Sequence, residues 1–388
     1  MNNDHLIGID IGTSAIKLVI TEPSASNQLP KILHAVESPA HGFRHGYIVD
    51  QEKATESLAL LITKAEREYK EKIIKARFSI GGVGLCSQYV RTSVDITKKN
   101  NEISEKNVEE VILKSEELFV NKYPNKKILH IIPVKYRVDG RDVLGTPIGM
   151  YGNTIEVKVI FITILEHHYD ALISVIQKNN LGVIDVIASP IADAAAAADY
   201  KQKTQGCMVT NIGAETTSIA TFENSIITSL DILAIGSNDI TNDIALGLQI
   251  PLEEADEIKK GRKNDQPKRK VEEIIYARIS DILELADRHL NKIKKNRLLP
   301  AGIIFTGGGA HLEHINEYAK EELKLPSESL TLFKTSKKTK RQLQVPNQFS
   351  IAYGLCVSKR GHQHFSSKAL SIKNIKRSLD YWFNQIMP

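Results

Sequence analysis

The chain has 388 residues, 42% of them hydrophobic and 25% charged; these ordinary globular proportions exclude a disordered, collagenous or coiled-coil chain and leave room for two or three domains. The net charge of +5 is gathered in "KKGRKNDQPKRK" (259–270), "KIKKNR" (292–297) and "KTSKKTKR" (334–341), so no general nucleic-acid-binding field is expected.

Strand-like "LIGIDI" and "AIKLVI" flank the small-residue turn of "GIDIGTSAIKLVI" (8–20), and the helical "QEKATESLALLITKAEREYKEK" and the strand "ARFSIGG" follow, an α/β order. From about Val83 to Thr163 the style changes to strands "SQYVRTSVDI" and "HIIPVKYRVDG", one helix "SEKNVEEVILKSEELF" and the turn-rich "VLGTPIGMYGNTIEVKVIFIT", which reads as an inserted α+β module. "LEHHYDALISVIQKNNLGVIDVIASPIADAAAAA" then gives a helix, a strand and an alanine-rich helix that return to the first domain. "TNIGAETTSIATF" (210–222) repeats the opening hairpin, with Asn211 aligned on Asp10 and Gly213 on Gly12. The pattern from Ile240 to Leu299 is mostly helical, "AGIIFTGGGAHLEHINEYAKEEL" is a buried strand, a triple-glycine turn and a helix, and "NQFSIAYGLCVSK" is a small-residue helix. We therefore expect a first domain from 1–82, 164–200 and 350–360, an insertion at 83–163, a second domain from 201–239 and 300–349, a helical subdomain at 240–299, a linker at 361–371 and an amphipathic helix at 372–388.

Cys86, Cys207 and Cys356 stand far apart and outside ligand spacing with His, which argues against disulfides, zinc and an oxidising compartment. No signal segment precedes the first strand, and no run approaches the roughly 18 apolar residues of a spanning helix, so a cytosolic chain is expected.

Two glycine-turn hairpins, each in its own α/β domain, suit a nucleotide clamped between related domains, because each turn offers backbone N–H groups to phosphates. One such hairpin fits turn geometry alone equally well; the second copy and the triple glycine favour the ligand. Asp10 would hold Mg²⁺ through waters, while Gly12, Thr13, Ser14 and Lys17 would meet phosphate oxygens, Lys17 also fitting a solvated strand lysine. The matching positions of the second hairpin are Asn211, Gly213, Ala214, Thr216 and Thr217, and Gly307, Gly308 and Gly309 form the glycine turn.

In order, "GIDIGTSAIKLVI", "NIGAETTSIATF" and "AGIIFTGGGAHL" resemble the phosphate-1, phosphate-2 and adenosine motifs of the actin, hexokinase and sugar-kinase superfamily. Within it, "HGFRHGYIVDQEKATESL", "ILHIIPVKYRVDG", "PIGMYGNTIEVKVIFIT" and "ILAIGSNDITNDIALGLQIPLEEADEIKKG" resemble the bacterial cell-division family FtsA over nearly the whole chain. The resemblance implies an α/β, actin-like (ribonuclease H-like) two-domain fold, with the inserted module as subdomain 1C and a C-terminal amphipathic membrane-targeting helix. It implies ATP and Mg²⁺ as ligands, and a chain that polymerises beneath the cytoplasmic membrane and anchors the FtsZ ring at the septum. The FtsZ C-terminal peptide would dock on the helical subdomain, where Arg278, Lys292, Lys295 and Arg297 offer positive charge or form an ordinary solvated face, and later division proteins are further possible partners. In "SIKNIKRSLDYWFNQIMP" the apolar Ile372, Ile375, Leu379, Trp382, Phe383 and Ile386 recur at helical spacing beside Lys373, Lys376 and Arg377. Such a stripe suits docking on the body or lodging in a membrane interface, and its place after a polar stretch favours the membrane.

The family pattern is altered where hydrolysis would occur. The phosphate-2 acid reads Asn211, a neighbouring glycine reads Glu215, the glutamate preceding proline in the connecting motif reads Ser189, and the adenosine-side Glu and Lys read Asp256 and Lys259. An amide and a hydroxyl weaken metal binding and water activation, so hydrolysis is expected to be slow or absent unless Glu215 supplies the missing charge. The alternatives are a scaffold of the PilM type in pilus assembly and an active ATPase or small-molecule kinase on the same fold.

Overall fold

The computed structural model describes residues 5–22, 29–96, 101–263, 267–335 and 342–358, with the backbone alone at 333–335 and 342–344. The linker and tail expected at 361–388 lie outside the described residues. The chain divides into two units, one of residues up to Val83 together with Asp170–Lys359, the other of Gly84–Tyr169.

The first unit opens with the meander β1 (Leu6–Ile11), β2 (Ala15–Thr21) and β3 (Ile32–Pro39), in which Asp10 lies opposite Lys17. A two-residue turn at His45 and Gly46 joins the short strands β4 (Phe43–Arg44) and β5 (Tyr47–Ile48). Helix α1 (Gln51–Tyr69) starts where the Asp50 carboxylate accepts from the Glu52 and Lys53 N–H groups, and it buries Leu58, Leu61 and Ala65. Strand β6 (Lys75–Ile80) then runs parallel to β1.

Among its described residues the second unit has one antiparallel sheet, in the order β7 (Cys86–Asp95), β10 (Thr154–Leu165), β8 (Lys126–Val138), β9 (Arg141–Val143), packed on helix α2 (Glu105–Lys122). Alternation along β10 sends Ile155, Val157, Val159 and Phe161 to one core with Val108, Val111 and Phe119 of α2, where Phe119 stacks on Phe161 at 4.6 Å.

Helix α3 (Glu166–Lys178) leads back to β11 (Gly182–Ala188), parallel to β6, and to α4 (Ser189–Ala197). After α5 (Tyr200–Gln205) a second meander follows: β12 (Cys207–Ile212), β13 (Thr217–Glu223) and β14 (Ile226–Leu233). Helices α6 (Ser237–Leu248), α7 (Leu252–Lys259) and α8 (Lys268–Lys292) form the helical segment. Helix α8 buries Ile279, Ile282, Leu283, Ala286 and Leu290, three or four apart, in a core shared with α6 and α7. Strand β15 (Gly302–Thr306) pairs parallel to β12, and after α9 (Ile315–Leu323) strand β16 (Ser327–Ser329) pairs parallel to β15.

The orders β3-β2-β1-β6-β11 and β14-β13-β12-β15-β16 are the same pattern written twice. The small residues expected in the two connecting helices explain how the sheets are joined. Helix α10 (Ser350–Val357) crosses α4 so closely that a Cβ on Gly354 would overlap the Ala192 carbonyl, and one on Gly8 of β1 would overlap the Ala352 carbonyl. Only small side chains permit that approach.

Candidate nucleotide site

Both hairpins turn on a glycine pressed against its own chain. A Cβ on Gly12 would lie 2.6 Å from the Ala15 carbonyl, and one on Gly213 would lie 2.9 Å from the matching Thr216 carbonyl. In the first hairpin, the Ser79 hydroxyl at the end of β6 donates to Asp10 Oδ1 at 2.7 Å and accepts from the Ile11 N–H at 3.0 Å. Lys17 Nζ lies 3.7 Å from Asp10 Oδ2, so the buried carboxylate has a cation beside it. Thr13 Oγ1 accepts from the Gly46 N–H at 3.1 Å, and Ser14 is exposed at the tip.

The second hairpin keeps the geometry with different chemistry. Thr306, opposite Asn211 on β15, holds the place that Ser79 holds for Asp10. Its hydroxyl donates to Asp193 Oδ2 on α4 at 2.5 Å, and the Asn211 amide donates to the same oxygen at 3.3 Å. The carboxylate missing from the strand is thus found on the neighbouring helix. Asp193 is 1% exposed, and burial pushes its carboxyl up to about 6 against the opposing effect of the neighbouring Ser350 hydroxyl and the hydrogen bonds of Thr306 and Asn211, with Asp10 adding to the rise. Thr217 is fully buried with its hydroxyl donating to the Ile235 carbonyl at 2.8 Å. The Gly213 and Ala214 carbonyls accept from the Ser237 and Asn238 N–H groups at 2.8 Å each, which seats the turn on the start of α6.

Glu215 turns away from its own hairpin: Oε2 accepts from the His45 N–H at 2.6 Å, and His45 Nδ1 lies 3.2 Å from the Glu215 carbonyl. Ser189, at the start of α4, packs on Gly81, where a Cβ would lie 2.6 Å from its Oγ. Gly307 has φ 79°, and a Cβ there would lie 2.6 Å from Asn211 Oδ1, so this turn is closed to other residues. Gly309 presses on Ile212, while Gly308 faces open space.

Lys259 is held by Thr241 Oγ1 at 2.6 Å, Asp256 Oδ1 at 3.0 Å and the Ser237 carbonyl at 3.2 Å. Burial acts to raise the Asp256 carboxyl, but hydrogen bonds from Lys260 and Lys259 outweigh it and hold the group below the usual carboxylate range. Arg278 grips Asp243 through two hydrogen bonds of 2.6 and 3.0 Å, and Lys295 is bound to Glu223 at 2.6 Å. Of the four basic residues considered for a partner, these two therefore already have acids. Lys292 ends α8, and Arg297 follows it in a left-handed turn.

The glycine turns and hairpin tips fit a polyphosphate. A metal fits less fully: among the described residues no three His, Cys, Asp or Glu gather in ligand geometry, so Mg²⁺ would rely on Asp10, waters and the phosphates themselves. Sequence reasoning missed Asp193, Thr306, Ser79 and the His45–Gly46 turn. The lone acid in the alanine run of α4 and the His-Gly pair between two short apolar strands were the available signals.

Duplicated sheets, each carrying a glycine hairpin, joined through the crossed helices α4 and α10 define an actin-like fold. Two family profiles match the chain, "Cell division protein FtsA" over residues 208–354 and "SHS2 domain inserted in FTSA" over 82–163. The Cell division protein FtsA of Bacillus subtilis is 28% identical over 83% of this chain and 78% of its own length, and that of Borreliella burgdorferi is 27% identical over 99% of both. Among solved structures, a chain of the PilM-PilN type IV pilus biogenesis complex superposes with a TM-score of 0.65 at 17% identity, covering 92% of this chain and 98% of its own. MreB5 of Spiroplasma citri bound to ADP superposes with a TM-score of 0.53 at 12% identity, covering 92% and 96%. The chain belongs to the FtsA family of cell-division proteins.

Proposed function

We propose that this protein is a nucleotide-binding scaffold of the division septum, which holds ATP between its two glycine hairpins and hydrolyses it slowly or not at all. The observation that carries this reading is the duplicated hairpin geometry: Gly12 and Gly213 repeat one backbone approach, while Asn211 and Ser189 lack the carboxylates that hydrolysis needs. The MreB5 structure bound to ADP, on the same fold, is in line with a nucleotide as the ligand. Asp10 would hold Mg²⁺ through waters, one of which Asn211 could hydrogen-bond, and the metal would supply charge neutralisation of the phosphates.

The remaining parts of the proposal follow the family. The chain self-associates into filaments on the cytoplasmic face of the membrane, tethered by the segment 372–388, whose weak binding per copy becomes firm through many copies. Among the described residues no helix is long and apolar enough to cross a membrane. The FtsZ C-terminal peptide meets the α6–α8 segment, where Lys292 and Arg297 are better placed to gain an acidic partner than the already paired Arg278 and Lys295. The pilus-assembly reading rests on a likeness at 17% identity, which carries the fold alone.

The test is equilibrium binding of a fluorescent ATP analogue together with phosphate release in magnesium, with vesicle co-sedimentation of the full chain and of a form ending at residue 371. Binding without release and loss of sedimentation on truncation support the proposal. Steady release overturns the non-hydrolysing scaffold, and absence of binding overturns the nucleotide reading.

A further inference from the structure

Three tips meet: Thr13 from the first hairpin, Glu215 from the second, and the His45–Gly46 turn between β4 and β5. His45 and Gly46 are both left-handed, at φ 48° and 81°. A residue with a side chain seldom adopts that conformation, and here it aims two consecutive N–H groups at the hairpins. One donates to the Glu215 carboxylate at 2.6 Å, the other to Thr13 Oγ1 at 3.1 Å. The turn is braced from behind, since a Cβ on Gly46 would lie 2.7 Å from the Gly82 nitrogen and the Val83 N–H donates to the His45 carbonyl at 3.2 Å. A rigid pair of amides beside two phosphate-type hairpins is an anion cradle, and the anion in it is the protein's own.

We propose that Glu215 is a built-in anionic latch: its carboxylate ties the second hairpin to the His45 amide without any nucleotide, and it disfavours nucleoside triphosphates relative to diphosphates. The latch itself rests on the contacts above, whereas the discrimination rests on the nucleotide reading of the same cleft. A polyphosphate between the hairpins presents its terminal group to the tips, where a third phosphate must displace Glu215 or sit beside its charge in a partly buried site. A diphosphate stops short of that contest. Glu215 is then neither a metal ligand nor a stray anion among the phosphates, but a stand-in for the terminal one.

The experiment has two arms on the full chain. Amide hydrogen exchange of the peptide containing His45, without nucleotide, is compared in the wild type, Glu215→Gln and Glu215→Ala. A charge-assisted hydrogen bond of this kind corresponds to about tenfold in local opening, so Ala should exchange about tenfold faster, with Gln between. Unchanged exchange in Ala overturns the latch. In the second arm, affinity for fluorescent ATP and ADP analogues is measured on the same proteins. A rise of about tenfold for the triphosphate in Ala, with the diphosphate within about twofold, supports the discrimination. An equal change for both, or a fall for the triphosphate, overturns it. If no form binds either analogue, the nucleotide reading fails and the discrimination with it, while the exchange arm still decides the latch.

Discussion

The two hairpins of the first unit share strand order, register and a glycine pressed on the carbonyl three residues ahead, and they differ in where the charge stands. In the first, the carboxylate is on the strand, at Asp10, with Lys17 beside it and Ser79 donating from the neighbouring strand. In the second, the strand position is the neutral Asn211, the neighbouring hydroxyl of Thr306 turns to Asp193, and that carboxylate is buried on the crossing helix among neutral donors. The comparison teaches that the turn itself demands only small residues and paired backbone, so charge is free to migrate to a neighbouring element. Chemistry follows the charge: a paired carboxylate at the cleft can serve a metal shell, whereas one held behind an amide can only orient that amide.

The largest expected effect comes from writing the second hairpin's chemistry into the first. Asp10→Asn leaves the Lys17 ammonium without its carboxylate in a largely buried place. Removing one member of a buried pair costs about 3–5 kcal/mol, so urea unfolding should show a loss of that order, and Lys17→Met in the same background should recover much of it. An equal loss from Asn211→Ala would erase the distinction between the hairpins.

The next effect is a dependence on pH that arises at the second hairpin. The Asp193 carboxyl titrates at about 6 in the folded state against an ordinary value of 3.8. Between those values the folded state holds more protons than the unfolded one, so stability falls as pH rises through the window and the penalty is complete above about pH 6. The shift corresponds to at most about 3 kcal/mol. Stability at pH 4 minus stability at pH 7, counted with its sign, should therefore be smaller in Asp193→Asn than in the wild type by up to that amount, while Asp185 and Glu116, also raised by burial to about 7, contribute alike to both; an unchanged signed difference would mean that Asp193 contributes nothing.

A smaller, symmetrical pair sharpens what the hairpins share. Gly12→Ala and Gly213→Ala each force a Cβ onto a carbonyl, at 2.6 and 2.9 Å. Each should cost roughly 1–2 kcal/mol, with Gly12 the more sensitive. Thermal unfolding of both variants reads the order directly.

The repeat was legible in the sequence because both its signals are local: a strand period on each side of a small-residue turn, in "GIDIGTSAIKLVI" and again in "TNIGAETTSIATF". The inserted unit was legible through its change of style, and the α4–α10 crossing through its small residues. The charge arrangement was not legible, because its partners are distant in the chain. Asp193 meets Thr306 from 113 positions away, and Glu215 meets His45 from 170. Only the parallel pairing of β12 with β15 and the path of α4 bring the first pair together. Lys259 illustrates the same limit: the family resemblance implied a nucleotide contact for it and Asp256, and nothing local in the sequence pointed to Thr241 and Ser237, on another helix, as partners of its ammonium.

Thr217 offers the finest distinction. Its register partner is Ile212, just as Ile16 is the partner of Ile11, so the second hairpin carries a buried hydroxyl where the first carries a buried isoleucine. That hydroxyl donates to the Ile235 carbonyl, which ties β13 to the turn before α6. Thr217→Val keeps the shape and removes the donor, at a cost of about 1 kcal/mol for a buried acceptor left without it. A threonine that gripped phosphate would instead weaken nucleotide binding on the same substitution. Chemical denaturation and analogue affinity, measured on one preparation, separate these roles. Lowered stability with unchanged affinity places Thr217 in the frame of the hairpin, and lowered affinity with unchanged stability would move it to the ligand side of the turn.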